Sequence, residues 1–203
     1  MKIGGFVRSS LVDYPGKVAA VIFTQGCNFR CPYCHNPQLV YPEFFTEPVP
    51  FEYVWEFLGE RRGLLEGVVF SGGEPTLQDD LPEVIRKVRS LGYAVKLDTN
   101  GSNPDVLAEV LPHLDYIAMD IKAPFGDAYA RVCGVTMDDY EIRRSMLLIR
   151  ATGLSYAFRT TFHSEFMPIE EKDKIKKHLG RHEIYVIQEA NEKISNNAQS
   201  LNG

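Results

Sequence analysis

Val18-Ala19-Ala20-Val21-Ile22-Phe23 leads, three residues later, into Cys27-Asn28-Phe29-Arg30-Cys31-Pro32-Tyr33-Cys34. The first stretch is an apolar run rich in Val and Ile and of strand length. Similar runs recur at 68–70, 94–97, 116–119, 156–159 and 184–187, which makes six expected strands. Between them Leu81, Val84, Ile85, Val88 and Leu91 fall at helical spacing. Val106, Leu107, Val110 and Leu111 do the same behind Pro104, a favourable first-turn residue. Further helices are expected near 51–62, 138–152 and 169–179, the last ended by Gly180. Strands alternating with helices specify an α/β fold on a parallel sheet. Six such units fit a curved, incomplete version of the eight-unit barrel, a single-domain partial (β/α)6 barrel, better than a flat doubly wound sheet. Periodicity alone does not separate the two.

In either architecture the active site lies at the C-terminal ends of the strands. Cys27, Ser71-Gly72-Gly73-Glu74, Asp98-Thr99-Asn100, Asp120-Ile121-Lys122 and Arg159 each follow a different expected strand, so polar groups gather at one rim. The cysteine spacing, C-x3-C-x2-C, offers three thiolates to one centre and withholds a fourth. Short cysteine-rich runs of this kind hold iron–sulfur clusters. Three ligands to a [4Fe–4S] cluster leave one iron open for a substrate, as catalytic metals keep a free position.

The 203 residues, 44% of them hydrophobic, suffice for one well-filled core, taken as residues 1–190. The tail, 191–203, is polar and aperiodic and reads as disordered. A net charge of −5 without a Lys or Arg cluster gives no reason to expect nucleic acid as a partner. No signal peptide or membrane-spanning stretch is visible, so a cytoplasmic protein with no membrane partner is expected. Four cysteines, three of them bunched, do not form a disulfide framework there.

Ser71-Gly72-Gly73-Glu74-Pro75 joins two glycines, which allow close backbone approach, to a carboxylate and a rigid proline. At a strand end it is a candidate edge for binding a charged amine, with backbone groups and Glu74 accepting hydrogen bonds. Together with Cys27, Cys31 and Cys34, and Tyr33 before the third cysteine, this segment resembles the radical S-adenosylmethionine superfamily. The resemblance implies a partial barrel of radical SAM type and a [4Fe–4S] cluster whose open iron chelates the amino and carboxylate groups of S-adenosylmethionine. Reductive cleavage would then give a 5′-deoxyadenosyl radical that abstracts hydrogen.

Within that superfamily the chain is most similar to the glycyl-radical-enzyme activases, in particular those of anaerobic ribonucleotide reductase. The similarity runs through Gly4-Gly5-Phe6, Ser10 to Gly16, Cys34-His35-Asn36-Pro37, Asp98-Thr99-Asn100-Gly101 and Met119-Asp120-Ile121-Lys122. It implies that Tyr33 and Asn36 contact the nucleoside, that Lys122 meets the methionyl carboxylate, and that Asp98, Thr99 and Asp120 form a monovalent-cation site. The partners it implies are a glycyl radical enzyme and a flavodoxin or ferredoxin electron donor. The segment 162–168 departs from the family's loop, and His182 has no assigned role.

Simpler readings stand beside these. The cysteines could form an incomplete zinc site with His35 or Cys133, and the chain would then be a non-catalytic iron–sulfur or zinc module. Cys133 reads as an ordinary small apolar residue on a connection, and His113, His163 and His178 as surface or capping residues. Glu74 could only cap a helix, Asp98 and Asp120 could be turn formers, and Arg159 is balanced between site cation and surface ion pair. A small-molecule enzyme such as 7-carboxy-7-deazaguanine synthase is the enzymatic alternative. The Asp13-Tyr14-Pro15-Gly16 start and the lack of a closing segment near the end favour the activase.

Overall fold

A computed structural model describes residues 1–190, and seven strands among them form one sheet in chain order. The expected tail, 191–203, lies outside the described residues. The six expected strands are β2 (Ala19–Thr24), β3 (Gly67–Gly72), β4 (Ala94–Thr99), β5 (Tyr116–Asp120), β6 (Ser155–Phe162) and β7 (Tyr185–Glu189). Every neighbouring pair from β2 to β7 is parallel. The seventh strand, β1 (Ile3–Ser10), was not expected, and it runs antiparallel along the free edge of β2. Gly4-Gly5 interrupts its apolar pattern, so β1 is specified by pairing with a formed edge rather than by its own propensity.

Side chains alternate across a strand, and residues opposite each other in register share a face. Ile22, Phe70, Leu97, Met119 and Phe158 take the outer face and are all fully buried. Above them lie α1 (Phe51–Glu60), α2 (Leu81–Ser90), α3 (Pro104–Val110), α5 (Tyr140–Ala151) and α6 (Glu171–Lys176). Val54, Leu58, Val84, Ile85, Val88, Leu107, Ile142, Met146 and Ile149 complete that core. Each such buried aliphatic side chain contributes about 1.5–3 kcal/mol.

The inner face carries a smaller cluster of Ala19, Val21 and Val69. Buried Tyr14, tilted against Tyr116, seals it where the strands begin. Toward the C-terminal ends the same face turns polar, through Ser71, Asp98, Asp120 and Arg159. The interior of this partial barrel is therefore apolar at its floor and charged at its rim.

One further helix, α4 (Asp127–Cys133), was not expected. Its seven residues lie between Gly126 and Gly134 and are too few for a periodic signal. No helix of the described residues is long and apolar enough to cross a membrane.

Candidate active site

The cysteine loop leaves β2 at Thr24 and is fastened at once to the end of β3. Gly73 N–H donates to the Thr24 carbonyl at 2.9 Å and Glu74 N–H to the Gly26 carbonyl at 2.8 Å, while Gly26 N–H donates to Leu39. This seam explains the paired glycines. Gly72 has φ +114°, and a Cβ at Gly73 would fall on the Gly26 carbonyl oxygen. Further along, Arg30 N–H donates to the Cys133 carbonyl at 2.7 Å, which ties the loop to α4.

A cavity of about 300 Å³ opens at this rim. Cys27, Cys31, Tyr33, Cys34, Asn36, Gly72, Gly73, Asp98, Thr99, Asp120 and Lys122 all border it, as does His35. Arg159 borders it too, ion-paired there with Asp98 and Asp120.

Glu74 does not border the cavity. Its carboxylate is fully buried and turned inward: Oε1 accepts from Thr76 N–H at 3.0 Å, the Thr76 hydroxyl at 2.6 Å and the Thr99 hydroxyl at 2.7 Å, and Oε2 accepts from Asn100 N–H at 2.6 Å. Burial pushes its pKa up, against the pull of the Asn100, Thr76 and Thr99 donors. The Glu74 carboxylate, expected at a ligand amine, faces these protein donors rather than the cavity. Glu74 caps the turn at Pro75–Leu77 through Thr76 N–H and ties the end of β3 to the end of β4.

The charged residues form a connected row. Lys96 Nζ donates to Asp98 Oδ1 at 2.6 Å and to the Asp13 carbonyl at 2.6 Å. Asp98 Oδ2 accepts from the Ser71 hydroxyl at 3.2 Å and lies 3.4 Å from Arg159 Nη1. Arg159 Nε donates to Asp120 Oδ1 at 2.9 Å, and Lys122 Nζ to Asp120 Oδ2 at 2.8 Å. Burial alone would raise the Asp120 pKa, but the Arg159 and Lys122 charges outweigh it and hold the carboxyl at about 2. Lys122 is held well above the usual lysine value, Asp120 overcoming the effect of burial. Thr99 Oγ1 is committed to Glu74 and to Gly101 N–H. The oxygens of the expected cation site are therefore each already engaged by a protein donor.

Lys96, Thr161 and Gln188 were not expected at the site, and Asp13 was expected only as part of the family-like start. The first had a signal: Lys96 stands two residues before Asp98, so a strand places both on one face. The other three reach the cavity only through the loop after β1 and the last two strands.

All four cysteines are free. Burial pushes Cys27 up to about 12 and raises Cys34, whereas Cys31 is lowered to about 7, chiefly by a hydrogen bond with Cys133. Cys133, expected on a connection, is thus a buried residue of α4 whose thiol meets Cys31. It does not border the cavity, and among the described residues no group of three His, Cys, Asp or Glu could hold a single metal ion. Tyr33 is buried with its ring stacked 6.1 Å from that of His163 and tilted 6.0 Å from that of Phe166, and its hydroxyl has no partner among the described residues. His163 is accordingly an interior residue, not a surface one.

Comparison with known proteins supplies the context. The family model described as Radical SAM superfamily matches residues 21–181. A protein of Methanocaldococcus jannaschii, named as a candidate glycyl-radical enzyme activating enzyme, is 36% identical over 92% of this chain and 79% of its own length. The pyruvate formate-lyase-activating enzyme of Clostridium pasteurianum is 34% identical over 66% of this chain, which spans 57% of that relative. In fold the chain is similar to Streptococcus suis SuiB solved with its precursor peptide SuiA, with a TM-score of 0.65 and 15% identity over 85% of this chain and 39% of that one.

Proposed function

The chain belongs to the radical SAM superfamily, and from that premise we propose that it is an activase that draws a hydrogen atom from a glycine of a partner enzyme. The observation that carries this reading is the convergence of Cys27, Cys31 and Cys34 with the charged strand ends on one cavity. The donor set suits the superfamily's [4Fe–4S] cluster, since soft thiolates are its usual ligands. The unpartnered Tyr33 hydroxyl beside them marks a wall that lacks a polar contact. When bound, the cluster supplies one electron and an open iron position, and S-adenosylmethionine supplies the 5′-deoxyadenosyl group that carries the radical.

In this reading Cys27, Cys31 and Cys34 hold the cluster, and their protons leave as it assembles. Lys122 and Arg159 attract the methionyl carboxylate, and the backbone at Gly72 and Gly73 receives the ammonium. Tyr33 and Asn36 border the nucleoside end. Glu74 acts indirectly, by fixing the seam that places Gly73. The floor of Val21, Val69 and Tyr14 keeps water from the closed end of the barrel.

The partner we assign is an anaerobic ribonucleotide reductase, on the similarity of Ser10 to Gly16 and of Cys34-His35-Asn36-Pro37 to its activases. Relatives above 30% identity carry activase names, which supports this reading over a deazaguanine-type small-molecule enzyme. A flavodoxin or ferredoxin would supply the electron, in the cytoplasm. The test is to mix reduced protein, S-adenosylmethionine and an anaerobic ribonucleotide reductase and to record electron paramagnetic resonance. The expected result is a glycyl-radical doublet on the reductase together with 5′-deoxyadenosine. Cofactor cleavage with no radical on the reductase, coupled instead to turnover of a pterin-like molecule, would favour the small-molecule enzyme.

A further inference from the structure

Three cations and two carboxylates form the row along the inner face: Lys96, Arg159 and Lys122 with Asp98 and Asp120. Lys96 is the unusual member. It sits deep on β4, its side chain 5% exposed, and its ammonium is shared between Asp98 and the Asp13 carbonyl. Asp98 and Asp120 thus have both oxygens engaged, by Lys96, Arg159, Lys122 and the Ser71 hydroxyl.

We propose that Lys96 and Arg159 take the place of a metal cation in this site, so that the carboxylate end of S-adenosylmethionine binds without potassium or sodium. The inference rests on the S-adenosylmethionine site proposed above and adds to it how that site is charged. An alkali ion needs oxygen ligands. To obtain them at Asp98 it would have to displace a buried ammonium and leave it without a counter-charge, away from water. The row needs no such ion: Lys96, Arg159 and Lys122 already supply the counter-charges of Asp98 and Asp120. Lys96 is a positioning residue here. It fills one side of Asp98, leaves Arg159 to bridge the two carboxylates, and holds the Asp13 loop against the rim.

The test is isothermal titration of anaerobically reconstituted protein with S-adenosylmethionine, in potassium chloride and in tetramethylammonium chloride at equal ionic strength. The dissociation constant is expected to differ by less than about twofold between the salts. A loss of about tenfold or more on removing potassium overturns the proposal. Lys96→Met removes the ammonium while keeping the stem. It should create a dependence the parent lacks, with tighter binding in potassium than in tetramethylammonium, and a Lys96→Met protein that binds equally well in both salts at parental affinity counts against the role of Lys96. If that variant does not fold, the comparison of salts on the parent still decides. Cation-dependent binding by the parent defeats this inference alone, whereas no binding in any salt defeats the S-adenosylmethionine site itself and this inference with it.

Discussion

Replacing Glu74 with Gln exchanges one oxygen for an amide nitrogen at a carboxylate that accepts four hydrogen bonds out of water. Whichever way the amide turns, a donor faces either Asn100 N–H or the threonine donors. The expected cost is about 1–3 kcal/mol of unfolding free energy, read by denaturant titration. Unchanged stability with weakened S-adenosylmethionine binding would restore a direct ligand role. The residue type and its place after two glycines were legible in the sequence, but the direction of the carboxylate was not, because it depends on Thr76, Thr99 and Asn100 arriving from other segments. Cys133 makes the same point, since its meeting with Cys31 is set by α4. Cys27→Ala, Cys31→Ala and Cys34→Ala should each lose the roughly four irons per chain of the reconstituted protein, and Cys133→Ala should keep them. Iron lost from the Cys133 variant as completely as from the others would point to a four-sulfur site.

Among the elements, one carboxylate ties the segment before β7 to α5 and β6. Glu183 accepts from Arg150 near the end of α5, from the Tyr156 hydroxyl on β6 and from Gly180 N–H. The Arg150 hydrogen bonds are the largest of the effects that hold its pKa at about 2 instead of 4.5. A carboxyl held down in the folded state adds stability above its ordinary pKa and loses it as pH falls. The stability difference between the parent and Glu183→Gln should therefore be constant from neutral pH down to about 4.5 and close as pH approaches about 2. A difference that does not change with pH would show that Glu183 acts through packing. The six parallel strands and most helices could be read from periodicity alone, because their apolar residues serve one large core. β1 could not, since its Gly4-Gly5 pair hides a strand that only the edge of β2 specifies. α4 is too short to show a period.

At the scale of the whole molecule, a sheet in chain order turns one face to its helices and the other to a charged rim, and the three cysteines enter that rim from the first parallel strand. This much followed from the apolar runs and the motifs after them. What did not follow was the pairing of rim charges across strands, because Arg159 on β6 meets Asp120 on β5 and Asp98 on β4 only once the register is fixed. The proposed activity requires three thiolates holding a cluster with one iron left for the cofactor. Mössbauer spectra of the anaerobically reconstituted protein, recorded with and without S-adenosylmethionine, test that claim most directly. One iron in about four should change its signal when S-adenosylmethionine is added, with the others unaltered. Spectra in which no iron responds, or in which every iron already has a full set of sulfur ligands, would contradict it.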